Sequence, residues 1–176
     1  SHRQLHSIID AMESVMSLDD SPSPLDDWLL ARLRANQAAW RHSMFNVSIR
    51  EGVMTSHYEM LSDWTWYVRR GGRDQGTAKQ FLLGWIPMLA PATPHIAEHF
   101  WHSLGGEGLL ATHCLDELTS LSDDDAKILA REVYRKELIS SGRGLRELAE
   151  RHAEEEITRA VIPTSPAWKE ELARES

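Results

Sequence analysis

The chain has 176 residues, 41% hydrophobic and 26% charged, a composition that belongs to a folded globular protein and excludes disorder of the whole chain. A formal net charge of −8, from 19 Lys and Arg against 27 Asp and Glu, argues mildly against nucleic-acid binders that rely on a basic face. The longest apolar run, residues 81–94, is interrupted by glycine, prolines and threonine, so we expect no transmembrane segment and no membrane partner.

The first predicted helix covers about Arg3 to Met16. The Ser-Pro-Ser-Pro stretch at 21–24 separates this helix from the rest, because proline disfavours helix in the residue before it. Asp26 stands where an N-cap acceptor belongs and opens a second helix. The apolar stripe predicted for this helix consists of Trp28, Leu29, Leu33 and Trp40.

A third helix is predicted from Asn46 to Arg70, ended by Gly71 and Gly72, and it should be the longest. Apolar residues recur along it at spacings that return to one face of a 3.6-residue helix. These residues are Val47, Met54, Tyr58, Leu61 and Val68. The pattern predicts that they form the buried face.

Two shorter helices follow. Residues 77–80 have the pattern of a capping box, and Pro87 should kink or shorten the helix that they open. Thr93 and Pro94 then suit the cap and first position of a helix that ends at Leu104, before Gly105 and Gly106. The predicted buried face of this second helix consists of Ile96, Ala97, Phe100, Trp101 and Leu104.

A last helix begins at residues 122–125, where hydroxyl and carboxylate acceptors meet the positive end of the helix dipole. Its predicted core contacts are Leu129, Val133 and Leu138, and Gly142 and Gly144 should interrupt it. Residues 156–162 alternate over β-branched positions and predict a strand, whose sheet partners must lie outside this chain.

The elements together predict an all-α antiparallel helical bundle with a short C-terminal strand-containing extension. The expected organisation is an N-terminal helix and linker at 1–24, a helical bundle at 25–155 and the start of a truncated domain at 156–176. The single cysteine, Cys114, excludes an internal disulfide and favours a cytoplasmic location. Because Ser1 is preceded by neither Met nor a leader, we expect a piece of a longer chain.

The best candidate binding site lies at the end of the third helix. Residues 66–73, WYVRRGGR, place Arg69, Arg70 and Arg73 beside the aromatic side chains of Trp66 and Tyr67. Three guanidinium groups next to aromatic rings are typical of an RNA contact. The plainer interpretation, given equal weight, is a solvated helix end at which cations meet the negative end of the dipole.

A second motif, His95-Ile96-Ala97-Glu98-His99, matches the H-x-x-E-H pattern of inverted zinc peptidases. His95, Glu98, His99 and His102 share one helix face, but polar residues of any amphipathic helix do the same. Such peptidases need a third ligand from another helix, and no matching motif is present. We therefore keep a zinc-dependent hydrolase that uses His95, Glu98 and His99 as the alternative, and expect no metal and no catalytic residues.

Several stretches match one known architecture. Residues 89–98, LAPATPHIAE, are similar to an L-A-P-x-x-P-H-I-A-E-E-L-W element, and residues 25–33 are similar to the start of the same bundle. Further similarity lies at 58–70, 104–108, 128–134 and 164–169. The chain resembles the tRNA-binding helical bundle of class I aminoacyl-tRNA synthetases, most closely leucyl enzymes of the archaeal and eukaryotic cytosolic type. Isoleucyl, valyl and methionyl enzymes share the bundle.

The resemblance implies a role within a larger ligase. The fragment would hold the tRNA of leucine isoacceptors, while ATP and Mg would be bound by a catalytic domain whose H-I-G-H and K-M-S-K-S signatures are absent here. Its other partners would be the catalytic and editing domains of the same chain. Arg69, Arg70 and Arg73 would contact phosphate and ribose, with Trp66 and Tyr67 packing beneath them or stacking. A purely structural adaptor without RNA remains an alternative. The residues assigned to the core are Trp28, Leu33, Leu61, Trp85, Phe100 and Trp101.

Overall fold

The computed structural model describes residues 2–112 and 121–151. Helices make up the framework of this part of the chain, which confirms the all-α bundle, and the strand expected at 156–162 lies outside the described residues. No helix in the described ranges is long and apolar enough to cross a bilayer. The helices are α1 His2–Ser14, α2 Pro24–Phe45, α3 Ile49–Met54, α4 Met60–Arg69, α5 Gln75–Leu89, α6 Pro94–Ser103 and α7 Asp123–Glu150.

The chain divides into two compact units, Ser1–Ile128 and Leu129–Ser176, and α7 crosses the boundary. The first unit contains α1 to α6 and the first turn of α7. In this unit Arg34 on α2 donates to both carboxylate oxygens of Asp125, which lowers the pKa of that carboxyl below its usual 3.8. The domain division expected from the sequence stays a prediction.

Helix starts follow the capping rules, but two lie earlier than predicted. Ser23, not Asp26, is the N-cap of α2; Asp26 is the third helical residue and closes a capping box with the Ser23 backbone. Asp74, not Thr77, caps α5 by accepting from the Thr77 amide at 2.7 Å. At the start of α7, Ser122 and Asp125 exchange backbone and side-chain hydrogen bonds as expected.

The helices α2, α4 and α6 end in one type of turn. In each turn, one residue has a positive φ and two successive amides donate back to carbonyls of the last helical turn. Gly71 (φ 89°) and Gly105 (φ 87°) end α4 and α6 at the predicted glycines. At the end of α2 the same position is occupied by Val47, with φ 59°.

The apolar face predicted for residues 46–70 is wrong. Val47, Met54, Tyr58 and Val68 are exposed and Leu61 is only half-buried. A π-helical turn at Thr55–Glu59 separates α3 from α4, and its wider spacing breaks the 3.6-residue register on which the prediction relied. The buried residues of α4 are Met60, Asp63, Trp64 and Tyr67.

One further expectation about helix continuity is corrected, since α7 runs without a break through Gly142 and Gly144. α5 contains Pro87 and ends two residues later at Leu89, and a kink at Pro87 stays a prediction. α7, at 28 residues, is therefore the longest helix in the described ranges. The core contacts predicted for α7 are not buried, since Leu129 is half-buried and Val133 and Leu138 are exposed.

Large aromatic side chains form the centre of the first unit. The Trp64 ring stacks on Phe81 with centroids 6.1 Å apart, and Phe81 meets Trp85 edge-on at 5.9 Å. The buried Trp85 donates its Nε1–H to the carbonyl of Ser56 at 2.6 Å, so the indole is satisfied inside the core. The confirmed core predictions are Trp28, Leu33, Trp85, Phe100 and Trp101.

Candidate nucleic-acid interface

Two guanidinium groups lie over one indole at the end of α4. The Cζ atoms of Arg69 and Arg70 are 5.8 and 5.7 Å from the centre of the Trp66 ring, within the range of a cation–π interaction. The spacings i+3 and i+4 from Trp66 put both side chains on its face of the helix. We call Trp66, Arg69 and Arg70 the Arg–Trp cluster. It presents two positive charges at a helix C-terminus, where the helix dipole favours cations.

A buried tyrosine fixes the chain beside this cluster. Tyr67 is fully buried, and its hydroxyl donates to Asp26 Oδ1 at 2.7 Å. The Tyr67 hydroxyl oxygen also accepts from the Asp74 amide at 3.1 Å. Burial, followed by the Asp26 hydrogen bond, raises the pKa of Tyr67, so the phenol stays protonated as a donor. Gly72 lies directly on the Tyr67 ring, where any Cβ would overlap it. The turn is therefore fixed to Tyr67 by two contacts, Gly72 on the ring and the Asp74 amide on the hydroxyl.

Arg73 lies just beyond this turn and faces an acidic partner. Its Nη1 is 3.7 Å from Asp19 Oδ2, and both side chains are largely exposed. The Gln75 amide donates to the carbonyl of Asp19 at 3.0 Å and so keeps the segment after α1 against the start of α5. The positive charge of Arg73 is thus partly balanced by Asp19.

The structure brings three of the five predicted site residues, Trp66, Arg69 and Arg70, into contact, while Arg73 faces Asp19 and Tyr67 is buried. Arg69 and Arg73 are exposed, while Trp66 and Arg70 are half-buried. Tyr67 lies in the core, so a stacking role for it is wrong and only its packing role is left. Whether the arginines contact RNA stays a prediction.

The zinc motif on α6 is used for structure. Both carboxylate oxygens of Glu98 accept from the Leu110 amide at 3.1 Å, and Oε1 is also 3.1 Å from His102 Nε2. Glu98 thereby ties the segment after α6 back to the helix. The described residues contain no group of three or more His, Cys, Asp or Glu arranged to hold a metal ion. The zinc hydrolase alternative is therefore without support.

An exposed apolar turn between α2 and α3 is not predicted from the sequence. Phe45, Val47 and Ile49 are 89%, 75% and 52% exposed, although Val47 was expected on a buried face. The N-cap role of Asp74, three residues before Thr77, is also not predicted, although an Asp before a helix is an N-cap signal. The positive φ of Val47 had no sequence signal, because β-branched residues rarely adopt it.

Comparison with known protein families identifies the class to which this helical domain belongs. The family profile for the anticodon-binding domain of tRNA ligase matches residues 26–162, most of the chain. The chain therefore belongs to the family of anticodon-binding domains of tRNA ligases.

Several curated proteins that are similar to the chain are leucine–tRNA ligases. The chain is 31% identical over 152 residues to the leucine–tRNA ligase of Methanothrix thermoacetophila. It is 33% identical over 153 residues to that of Pyrococcus abyssi and 31% over 156 residues to that of Pyrococcus furiosus. These alignments cover 85%, 82% and 82% of this chain but 15% of each relative. No solved structure matches the chain significantly.

Proposed function

We propose that this chain is the tRNA-binding region of a leucine–tRNA ligase. The observation that carries the proposal is the match of residues 26–162 to the anticodon-binding domain of tRNA ligase, together with the leucine–tRNA ligases found among its relatives. The substrate class is tRNA of the leucine isoacceptors. Isoleucyl, valyl and methionyl enzymes are the alternatives within the same class of ligase.

The ligation itself belongs to a larger protein in this proposal. Since the chain spans 15% of the relatives' length, ATP, Mg and the reacting groups would be held by a catalytic domain elsewhere in that protein. The catalytic and editing domains of the same protein would be the other partners of this region, and its location would be cytoplasmic. The role of the present residues is to hold and orient the RNA.

The Arg–Trp cluster is the proposed point of attachment. The guanidinium groups of Arg69 and Arg70 both lie over the Trp66 ring. They can pair with neighbouring phosphates, because each presents a planar set of N–H donors that matches phosphate oxygens. Trp66 sets their spacing and leaves fewer rotamers to be lost on binding. Contacts of this kind position the RNA without selecting a sequence. Arg73, which faces Asp19 at 3.7 Å, is the third proposed contact.

The test is a titration of the 176-residue chain with a leucine-isoacceptor tRNA transcript at several salt concentrations, followed by fluorescence anisotropy. We expect weak binding whose logarithm falls linearly with the logarithm of salt concentration. Arg69→Gln combined with Arg70→Gln should weaken binding and reduce the magnitude of that slope by about 2, because each phosphate contact contributes roughly 0.9.

Lys127→Gln is the matched control, because it also removes an exposed positive charge, and in the structure that charge is already paired with Asp124 at 3.1 Å. The slope should stay unchanged in this variant. A change in the control that is as large, per charge removed, as in the double variant would mean that net charge, not the cluster, governs binding. Absence of any tRNA binding by the unmodified chain would favour the structural adaptor.

A further inference from the structure

The turn between α2 and α3 is built in a conformation that its sequence does not favour. The amide of Val47 donates to the Met44 carbonyl at 3.1 Å and that of Ser48 to the Ser43 carbonyl at 2.8 Å, the same pattern as in the glycine turns. Val47 holds the left-handed position with φ 59°. A β-branched side chain is disfavoured there, and glycine would adopt this conformation without steric cost.

The side chains that this turn carries point to solvent. Phe45 is 89% exposed, Val47 75% and Ile49 52%, all within five residues. We call residues 45–49 the α2–α3 tip. A strained backbone that displays three apolar side chains to water is opposed by both conformational preference and the hydrophobic effect, and such outliers occur at functional sites.

Packing behind the tip holds it in place. A Cβ on Gly52 would lie 2.7 Å from Met44 Sδ, so the Met44 side chain of α2 packs directly against α3 at this glycine. Asn46 also donates its side-chain amide to the carbonyl of His42 at 2.9 Å. The exposed side chains are therefore presented on a rigid base, which reduces the entropy lost when a ligand binds.

The size and charge of the tip indicate its ligand. A stable protein interface needs about 20–30 residues on each side, far more than this tip offers, whereas one aromatic ring suffices to stack one base. Arg41 and Arg50 flank the tip against one acid, Glu51, although the whole chain carries −8. Arg50 is exposed, so a phosphate next to a stacked base would meet a positive charge.

We infer that the α2–α3 tip binds an unpaired RNA base, with Phe45 as the stacking surface and Val47 and Ile49 as the apolar rim. This inference rests on the proposed function and adds a second contact to it. Tyr67 joins the Arg–Trp cluster to the first turn of α2, and the tip lies at the other end of this 22-residue helix. At 1.5 Å per residue, the two contacts are about 30 Å apart along the bundle.

The experiment measures binding of the 176-residue chain to three probes: the leucine-isoacceptor transcript, single-stranded oligoadenylate and a fully paired RNA duplex. Phe45→Ala should weaken binding of the transcript and oligoadenylate about tenfold, because base stacking on an aromatic ring is lost, and leave duplex binding unchanged. Phe45→Trp should restore binding. Met16→Ala, which removes another apolar side chain that is 75% exposed, is the matched control.

Val47→Gly separates function from stability. Relief of the left-handed valine should keep or raise Tm, while loss of the rim side chain should weaken oligoadenylate binding about threefold. A variant that is more stable and binds less tightly cannot be explained by damage to the fold.

Three outcomes would overturn the inference. Unchanged binding of Phe45→Ala to oligoadenylate would remove the stacking contact, even if the Arg69 and Arg70 variants confirm tRNA binding. Equal weakening for single-stranded and duplex RNA would show that the tip does not select unpaired bases. Self-association of the chain that Phe45→Ala abolishes, with RNA binding intact, would place a second copy on the tip. Failure of the proposed function is distinct, since then no variant binds tRNA.

Discussion

The turns that end α2 and α4 share one hydrogen-bond pattern but differ in what lies beneath them. After α4 the two turn residues are Gly71 and Gly72, and Gly72 packs on the buried ring of Tyr67. After α2 the same two positions carry Val47 and Ser48, and the apolar side chain projects into solvent. Hydrogen bonds therefore set the path of each turn, while packing decides whether a side chain is allowed.

The comparison also separates two uses of a helix end. The turn after α4 packs on the core, and the charged Arg–Trp cluster lies on the helix that it ends. The turn after α2 exposes apolar side chains to solvent. Gly72 is required by packing and so contributes to stability. Val47 adopts a disfavoured conformation and contributes to the proposed RNA contact. Four variants test how far this distinction holds.

Gly72→Ala should have the largest effect on stability. The new methyl group would overlap the Tyr67 ring, which cannot move aside because its hydroxyl is bonded to Asp26 and Asp74. We expect a loss of about 3 kcal/mol in the free energy of unfolding, measured by urea denaturation. Ser48→Ala at the equivalent position should change it by less than about 0.5 kcal/mol, and equal losses would refute the comparison.

Tyr67→Phe should cost about 2 kcal/mol in the same measurement. The substitution keeps the ring in place but removes the donor to the Asp26 carboxylate and the acceptor of the Asp74 amide. Tyr58→Phe, which alters an exposed tyrosine, is the control and should be neutral. If Tyr67→Phe is also neutral, water takes over both hydrogen bonds and the hydroxyl does not hold the turn.

Gly71→Val places in the α4 turn the residue that the α2 turn tolerates. No atom lies within 4 Å of the position of a Cβ at Gly71, so the cost comes from backbone conformation alone. We expect about 1–2 kcal/mol of destabilisation. The converse change, Val47→Gly, should not destabilise. A gain on Gly71→Val would show that valine is favourable in this turn and would remove the strain argument at the tip.

A smaller effect is expected at the π-helical turn before α4. Burial of the His57 imidazole lowers its pKa below the usual 6.5. The unfolded chain then takes up the proton at higher pH than the folded chain, so this contribution is intact above pH 6.5 and is lost as pH falls below it. The loss should stay below about 1 kcal/mol because the side chain is half-exposed.

His57→Gln should remove this pH dependence. Unfolding of both proteins in urea at pH 7.5 and pH 5.5 checks the expectation, with His95→Gln on the exposed face of α6 as control. Parallel pH profiles for the unmodified chain and His57→Gln would contradict the assignment.

The sequence predicts most helix boundaries because glycine, proline and capping side chains act locally. Gly71 and Gly105 end their helices as expected, and Ser122 opens α7. Burial along residues 46–70 was not predictable, since the π turn at Thr55–Glu59 changes the register without a signal in composition. The Arg–Trp cluster was predictable from i+3 and i+4 spacing, but the burial of Tyr67 depends on Asp26, 41 residues away.

The middle of α2 packs on α5, and this packing fixes the distance between the two ends of α2. Gln37 Nε2 donates to the Gly84 carbonyl at 2.9 Å, and a Cβ at Gly84 would lie 2.7 Å from Leu33 Cδ2, so α2 is locked against α5 at close range. A ligand that touches both ends must bridge a fixed gap. Two individually weak attachments then reinforce each other by effective concentration, but only in a molecule whose shape spans that gap. Folded RNAs would thus be distinguished by whether their shape spans the distance between the two contacts, without recognition of base identity.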